Sequence, residues 1–361
     1  MPTEREQQIL DLIQQNPMIT QKELANILGI TRPGVASHIS RLIKEGLISG
    51  KGYVLPRKEY VTVIGAVNMD IYGIIRERDV VLKSSNSGHV KIQLGGIGRN
   101  IAANLTELGI NTNLITVFGN DTNGEIFKQD SAKREINISY AKQIMNEETS
   151  NYIYINDQTG DRLIGVDDMD INRYITPEFL KSRLPGINAS NFVIFDSNIP
   201  SNTIKWLYDN VKVPMIAKAV SVNKATNLLQ KNVNLNSLVI NGIEASIITK
   251  QQIASLEEAK ECAKKLRKLF NANIYLYIDD LGLFAITDEF QKTKLYSKDI
   301  KVQNTNGIGA SMAAAVAYTK LRNTPTEKSA DFIVKVGELT MQSTESVSNR
   351  VRELINQIAK G

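Results

Sequence analysis

The chain has 361 residues, a formal net charge of +5, 42 % hydrophobic residues and 22 % charged ones, which is ordinary for a globular protein of roughly two or three domains. No apolar run approaches the roughly 18–20 residues of a membrane helix, and the polar opening MPTEREQQIL lacks a signal-peptide pattern, so the expectation is a cytoplasmic protein with no membrane partner. A single cysteine excludes an intrachain disulfide framework, and two well-separated histidines, His38 and His89, speak against a structural zinc site.

In chain order, residues 4–16 read as a helix with Ile9, Leu12 and Ile13 on one face and Pro17 closing it. Thr20 and Glu23 form a capping-box pattern ahead of a second helix with an apolar stripe of Leu24, Ile27 and Leu28. Gly29 allows a sharp turn. A third helix opens at Thr31 with Pro33 in its first turn, placing Val35, Ile39, Leu42 and Ile43 inward and Arg32, Ser37, His38, Arg41 and Lys44 outward. Gly46 ends it, and LISGKGYVLP reads as two short strands around Gly50, Lys51 and Gly52.

From Thr20 to Lys58 there are seven basic residues (Lys22, Arg32, Arg41, Lys44, Lys51, Arg57 and Lys58) against Glu23 and Glu45, a local +5 that equals the charge of the whole chain. The remainder is balanced, so a basic patch sits at one end. Three helices followed by a basic hairpin resemble a winged helix-turn-helix, whose third helix would enter the major groove while the wing touches phosphates. The DNA-contacting candidates are Arg32, Ser37, His38, Arg41, Lys44 and Lys51; a small helical domain for protein contacts is the alternative. The polar break PRKE, residues 56–59, marks the boundary between a unit over 1–57 and one over 60–361.

Beyond it, strand-like runs at 60–66, 112–117, 192–196, 237–240 and 274–278 alternate with helical runs at 98–108, 202–210 and 255–271. That alternation predicts an α/β fold with a mainly parallel sheet. Cys262, on the last of these helices, reads as a small buried hydrophobe rather than a reactive thiol. Segments near 72–94 and 150–165, the latter with a turn at Asp157–Asp161, alternate in the strand manner and predict a small β lid. Such a lid offers sheet edges for pairing with a second copy, so a homodimer is expected.

Two glycine-rich stretches carry candidate chemistry. QLGGIGRNIAANLTELG (93–109) runs from strand end through a Gly-Gly-x-Gly turn into a helix, and NTNGIGASMAAA (304–315) sets Gly307 and Gly309 at a helix start, where N–H groups can face an anion. Neither is a Walker A loop.

Together with VIGAVNMD and NGIE (241–244), in this order and spacing, these stretches resemble the PfkB or ribokinase family of carbohydrate and nucleoside kinases over about residues 60–357. GRN (98–100), FDSNIP (195–200) and AVSVNKA (219–225) lean toward its pseudouridine and related nucleoside kinases. The resemblance implies a ribokinase-like three-layer α/β/α sandwich with a β lid. It implies substrate contacts from Asn68, Asp70, Gly95, Gly96, Arg99 and Asn100, with Arg99 as a plain surface charge the alternative. It further implies a nucleotide side of Gly307, Ile308 and Gly309 with Asn241 and Glu244, the last placing Mg²⁺ through water.

The family's second signature, approximately D-T-x-G-A-G-D, ends in the aspartate that takes the proton from the attacking hydroxyl. Here that position is Ala310. Asn304 replaces the first aspartate, Asn306 precedes the first glycine in place of the usual threonine, and Ile308 replaces the inner alanine. Tyr277-Ile278-Asp279 stands near a usual Thr-x-Gly turn, and Lys218-Ala219 stands where relatives tend to have Asp-Pro. Ser311 or a water is left as a substitute base.

The expectation is a DNA-binding transcription regulator whose degenerate kinase domain senses a nucleoside or sugar. No cofactor is then required; Mg²⁺ and ATP enter only if kinase activity survives. An active nucleoside kinase with a regulatory helical domain, or a bifunctional enzyme and repressor, are the competing readings.

Overall fold

The computed structural model describes residues 2–16, 19–48, 59–77, 80–158, 162–278, 281–288 and 291–358. The wing glycines with Lys51, the basic pair Arg57 and Lys58, Pro17, the end of the 157–161 turn and Asp279 lie outside the described residues.

Helices α1 (Glu4–Gln15), α2 (Gln21–Leu28) and α3 (Arg32–Lys44) form the first unit. Capping boxes at Thr3/Glu6 and Thr20/Glu23 satisfy orphan N–H groups at the starts of α1 and α2, and the Thr31 side chain caps α3. Ile9, Ile13, Leu24, Val35, Ile39, Leu42 and Ile48 fill the core between them. Two expected core positions are exposed instead: Ile27 at 60 % and Ile43 at 41 %. In each case the 3.6-residue period carries the apolar stripe past the width that three short helices can cover.

The second unit begins with β1 (Val61–Ile64), β2 (Asn68–Ile75), β3 (Gly88–Gly95), α4 (Ile97–Glu107), β4 (Thr112–Ile115), β5 (Val117–Gly119), α5 (Thr122–Lys133) and β6 (Lys142–Ile144). It continues with β7 (Asn151–Asn156), β8 (Arg162–Asp168), α6 (Pro177–Lys181), α7 (Leu184–Asn188), β9 (Phe192–Asp196), α8 (Ser201–Asn210), β10 (Met215–Lys218) and α9 (Val222–Ala225). Then follow β11 (Ser237–Asn241), α10 (Gly242–Thr249), α11 (Leu256–Phe270), β12 (Asn273–Ile278), β13 (Gly282–Ile286), β14 (Gln291–Leu295), α12 (Ile308–Leu321), α13 (Thr326–Met341) and α14 (Arg350–Ile358).

The main sheet runs β14-β13-β12-β11-β10-β9-β1-β4, parallel from β12 to β4 and antiparallel at β13 and β14. Both faces are covered, which is why its strands read as unbroken apolar runs. On one face Val63, Ile194, Ile216 and Val239 pack with α4, α12 and α13. On the other, Phe195, Ala217, Ile240 and Leu276 pack with α8, α10 and α11. Cys262 is fully buried on α11, and burial pushes its thiol up, as befits a packed hydrophobe.

A second, four-stranded sheet, β3-β2-β7-β8, forms the lid. It begins at Asn68, four residues before the expected 72, because β2 runs almost directly on from β1. The order of the main sheet reverses between β1 and β9, and in open α/β sheets ligands bind beyond the strand ends at such a switch point.

Candidate functional site

At the switch point the fully buried Asp196, last residue of β9, accepts a hydrogen bond from the Ala66 N–H at 3.0 Å and one from the Asn198 N–H at 2.8 Å. Burial pushes its carboxyl pKa up against those bonds. The segment after β1 is thereby fixed, and the turn before α4 lies directly on it. Gly98 is forced: a Cβ there would meet the Gly65 carbonyl carbon at 2.6 Å. Gly96 caps α4 with φ +94°, a conformation that favours glycine.

The sugar-side candidates are gathered around this turn. Asn68 opens β2 opposite Gly95, and its Nδ2 donates to Asp70 Oδ1 at 2.6 Å. A side chain on Gly95 would overlap the Asp70 carboxylate, so the glycine leaves room for that carboxylate and whatever it binds. Asn100 is buried in the first turn of α4. Arg99 is only 4 % exposed, which contradicts the alternative of a plain surface charge. Its guanidinium pairs with Asp130 on α5 at 2.6 Å and donates to Asn100 Oδ1 at 3.0 Å. Arg99 therefore braces Asn100, with Asp130 as a partner that the sequence pattern does not announce.

The lid covers this side with aromatic rings. Tyr72 and Tyr154 stack at 5.2 Å with 5° between their planes, and Tyr152 lies 5.3 Å from Tyr154. These tyrosines are absent from the expected site, although the alternation in NYIYIN is a signal that could have found them. Asn306 Nδ2 donates to the Tyr154 hydroxyl at 2.7 Å, joining the lid to the loop before α12.

On the nucleotide side, Gly307 caps α12 with φ +90°, and Ile308, Gly309 and Ala310 are all buried. Ala310 has no exposed surface, and the Ser311 hydroxyl donates back to the Ile308 carbonyl at 2.9 Å. The Ser311 side chain is also fully buried, within the first turn of α12.

Asn241 and Glu244 form a capping box at the start of α10. Glu244 also accepts from the Ser221 N–H at 3.1 Å and from Lys218 Nζ at 3.1 Å. Lys218, 2 % exposed at the end of β10, donates as well to the Ala219 carbonyl and stands 5.4 Å from the Tyr277 ring centre. A side chain on Gly309 would overlap the Lys218 stem and the Tyr277 hydroxyl. The Mg²⁺ implied by the resemblance does not fit this arrangement. Both Glu244 oxygens are engaged, a lysine stands beside them, and the helix start holds no carboxylate.

On α3, Arg32, Ser37, Arg41 and Lys44 are not buried. His38 is drawn inward: its Nδ1 lies 3.4 Å from the buried Glu6, which Arg41 also approaches at 3.4 Å. Glu6 thereby ties α3 to α1, and only part of the expected basic face is free of it.

The family model for winged helix-turn-helix DNA-binding matches residues 3–49, and that for pfkB family carbohydrate kinase matches residues 58–352. The uncharacterized sugar kinase YeiI of Escherichia coli (strain K12) is 27 % identical over 340 residues, covering 94 % of each chain. The pseudouridine kinase of the same organism is 27 % identical over 305 residues, 84 % of this chain and 96 % of that one. Among solved structures, Arabidopsis thaliana ribokinase complexed with ribose and ATP superposes with a TM-score of 0.73 at 20 % identity, over 84 % of this chain and 100 % of that one. That likeness speaks for the fold of the second unit, a ribokinase-like α/β sandwich with a lid, while the winged helix-turn-helix before it rests on its own family model. With the kinase model spanning most of the sequence, the chain belongs to the pfkB family of carbohydrate kinases.

Proposed function

We propose that this chain is a DNA-binding transcription regulator in which a pfkB-type domain binds a nucleoside or sugar without phosphorylating it. The observation that carries this reading is Ala310, fully buried at the first turn of α12 where the family's base would stand. Loss of a general base commonly costs about 10²–10⁴-fold in rate, and Ser311 is hydrogen-bonded within its helix. The sugar side is kept: Asn68, Asp70, Gly95, Gly96 and Asn100 surround one turn, with Arg99 bracing Asn100. Tyr72 and Tyr154 offer a stacked pair to a flat base, and the pseudouridine kinase among the relatives points to the same ligand class.

In this reading ligand binding draws the lid down and changes the separation of two helical units in a homodimer. That requires a ligand affinity that differs between free and DNA-bound protein. The lid supports the dimer. Ile92, Ile71, Ile153 and Val166 stand side by side across its four strands, as do Val90, Gly73, Ile155 and Ile164, all on the face away from the tyrosines. Val90, Ile92, Ile164 and Val166 are each at least 60 % exposed in the single chain.

The second reading, an active nucleoside or carbohydrate kinase with a regulatory helical domain, shares the Asp70 side and is favoured by its completeness. Two measurements on the full chain separate them. Phosphorylation of a nucleoside and pentose panel with Mg²⁺ and ATP is expected to be absent, while a nucleoside from that panel changes affinity for the chain's own upstream DNA. Turnover at ordinary kinase rates sinks the sensor reading, as does DNA affinity indifferent to every panel member.

A further inference from the structure

We propose that the nucleotide half of the cleft is closed from within by Lys218 and Tyr277, so that the domain takes a single small hydroxylated ligand and no magnesium nucleotide. This deepens the sensor reading and rests on it for the identity of the cleft.

At Gly309, in the first turn of α12, even a methyl group would overlap the Lys218 stem and the Tyr277 hydroxyl. Both side chains therefore lie directly against the first turn of α12, the surface that a phosphate would have to approach. Lys218 is 2 % exposed and Tyr277 5 %, both on strands of the main sheet: Lys218 ends β10, and Tyr277 lies within β12.

Charge points the same way. Glu244 is the carboxylate beside Lys218, and its oxygens already accept from Lys218 Nζ and from the N–H groups of Asn241 and Ser221. A divalent cation would have to displace a buried ammonium to reach it. Lys218 supplies the positive charge that this carboxylate needs, with a tether in place of coordination. A cavity of about 490 Å³ opens alongside, lined by Asn241, Gly242, Ile243, Ser246, Ile253 and Ile278 among others. It contains no lysine or arginine among its described lining residues, so it offers a polyphosphate no countercharge.

In the opposite half the group that lies against the glycine is a carboxylate. There Gly95 keeps space beside the Asp70 carboxylate, and the stacked pair Tyr72 and Tyr154 belongs to the same face of the lid. One half of the cleft therefore presents a carboxylate that can accept from hydroxyl groups, while the other is covered at the α12 turn by an ion-paired lysine and a tyrosine. Restoring a carboxylate at position 310 alone would supply a base to a site that holds no phosphate donor, so Ala310→Asp is expected to stay inactive.

The test is calorimetric titration of the full-length protein with MgADP, with ADP in EDTA and with Mg²⁺ alone. The expected result is no binding tighter than about 1 mM in any of the three. Micromolar binding of MgADP overturns the proposal, and so does micromolar binding of ADP without magnesium, which would make Lys218 a phosphate ligand. Two variants separate filling from charge. Lys218→Ala with Tyr277→Thr empties the space and is expected to raise MgADP affinity at least about tenfold. Lys218→Met keeps the bulk without the charge and is expected to raise that affinity less than the double variant does; an equal rise there overturns the argument from space. If the double variant does not fold, the titration of the unmodified protein still decides. Failure of a nucleoside to alter DNA binding would instead count against the sensor reading and leave these titrations unaffected.

Discussion

The Tyr154 hydroxyl and the Asn306 amide meet at 2.7 Å across 152 residues of sequence, tying the lid to the loop from which α12 starts. Tyr154 is also stacked on Tyr72, so removal of its hydroxyl leaves the packing of the ring in place. A neutral hydrogen bond of this kind contributes about 1 kcal/mol. Tyr154→Phe is therefore expected to speed hydrogen exchange in β7 and β8 by a few-fold while the main sheet keeps its protection. Unchanged exchange in both lid strands would show that the bond does not hold the lid.

The Lys218–Glu244 pair gives a second prediction. Removing one partner of a buried ion pair leaves a charge without compensation and costs about 3–5 kcal/mol, whereas replacing both with neutral residues of similar size is often neutral. Glu244→Gln should lower the denaturation midpoint of the larger unit sharply, although glutamine can still serve the capping box at Asn241. Lys218→Met combined with Glu244→Gln should recover most of that stability. Additive destabilisation in the double variant would mean that the two side chains act independently.

Much of the main sheet is legible in the sequence because its strands are buried on both faces and its helices on one, which leaves the apolar runs and the 3.6-residue period clean. The start of the lid is less so. In β2, candidate site residues and outward-facing apolar residues alternate after a gap of only three residues from β1, so Asn68–Ile71 fall between the expected strand at 60–66 and the expected lid at 72. Asp70, Gly95 and Ala310 stand out through motif order. Lys218 is visible as a departure from the family pattern, but its partner is not, because the parallel pairing of β10 with β11 brings Glu244 beside it from 26 residues away. The burial of Arg99 is hidden for a similar reason: its partner Asp130 arrives from α5, and no helical spacing announces it.

Glu6 makes the first unit sensitive to acid. The Thr3 N–H and hydroxyl, with His38 and Arg41, hold its carboxyl at about 2, against an ordinary value of 4.5. A depressed carboxylate contributes stability that is fully present above its unfolded pKa and is lost as pH falls through the folded value. The junction of α1 and α3 should therefore weaken between about pH 4.5 and pH 2, read as faster hydrogen exchange in α3 of the intact chain. Glu6→Gln should loosen the same helix at about pH 7 and remove the pH dependence in this window. A junction equally acid-sensitive in that variant would place the titrating group elsewhere.

For DNA binding the cleaner probes are Arg32 and Lys44. Both are exposed on α3 and have no ion pair among the described residues, whereas Arg41 is engaged by Glu6 and Glu45. Each DNA phosphate that the protein no longer neutralises should flatten the dependence of log affinity on log salt by about 0.9. Changing Arg32 and Lys44 together to alanine should reduce the slope by roughly 1.8 with the fold intact. A slope unchanged by both substitutions would place the phosphate-binding residues on another surface.

The lid supplies the last prediction. Its inner face carries Asp70, Tyr72, Tyr152 and Tyr154, so the apolar row Ile92, Ile71, Ile153 and Val166 must point the other way. Ile92 is 66 % exposed, Val166 60 % and Ile153 45 %, a contiguous patch of the sort that marks an interaction surface. A second copy laid on this patch would bury the same side chains from both sides, each worth about 1.5–3 kcal/mol when fully covered. Sedimentation of the unmodified chain should accordingly show a dimer, and Ile92→Lys with Val166→Lys should yield monomers. Because both substitutions point away from the tyrosines, the ligand side should keep its melting shift with nucleoside. A chain that sediments as a monomer at about 50 μM, where a micromolar dimer would be mostly assembled, removes the lid as the dimer interface and with it the proposed coupling between lid closure and the spacing of the DNA-binding helices.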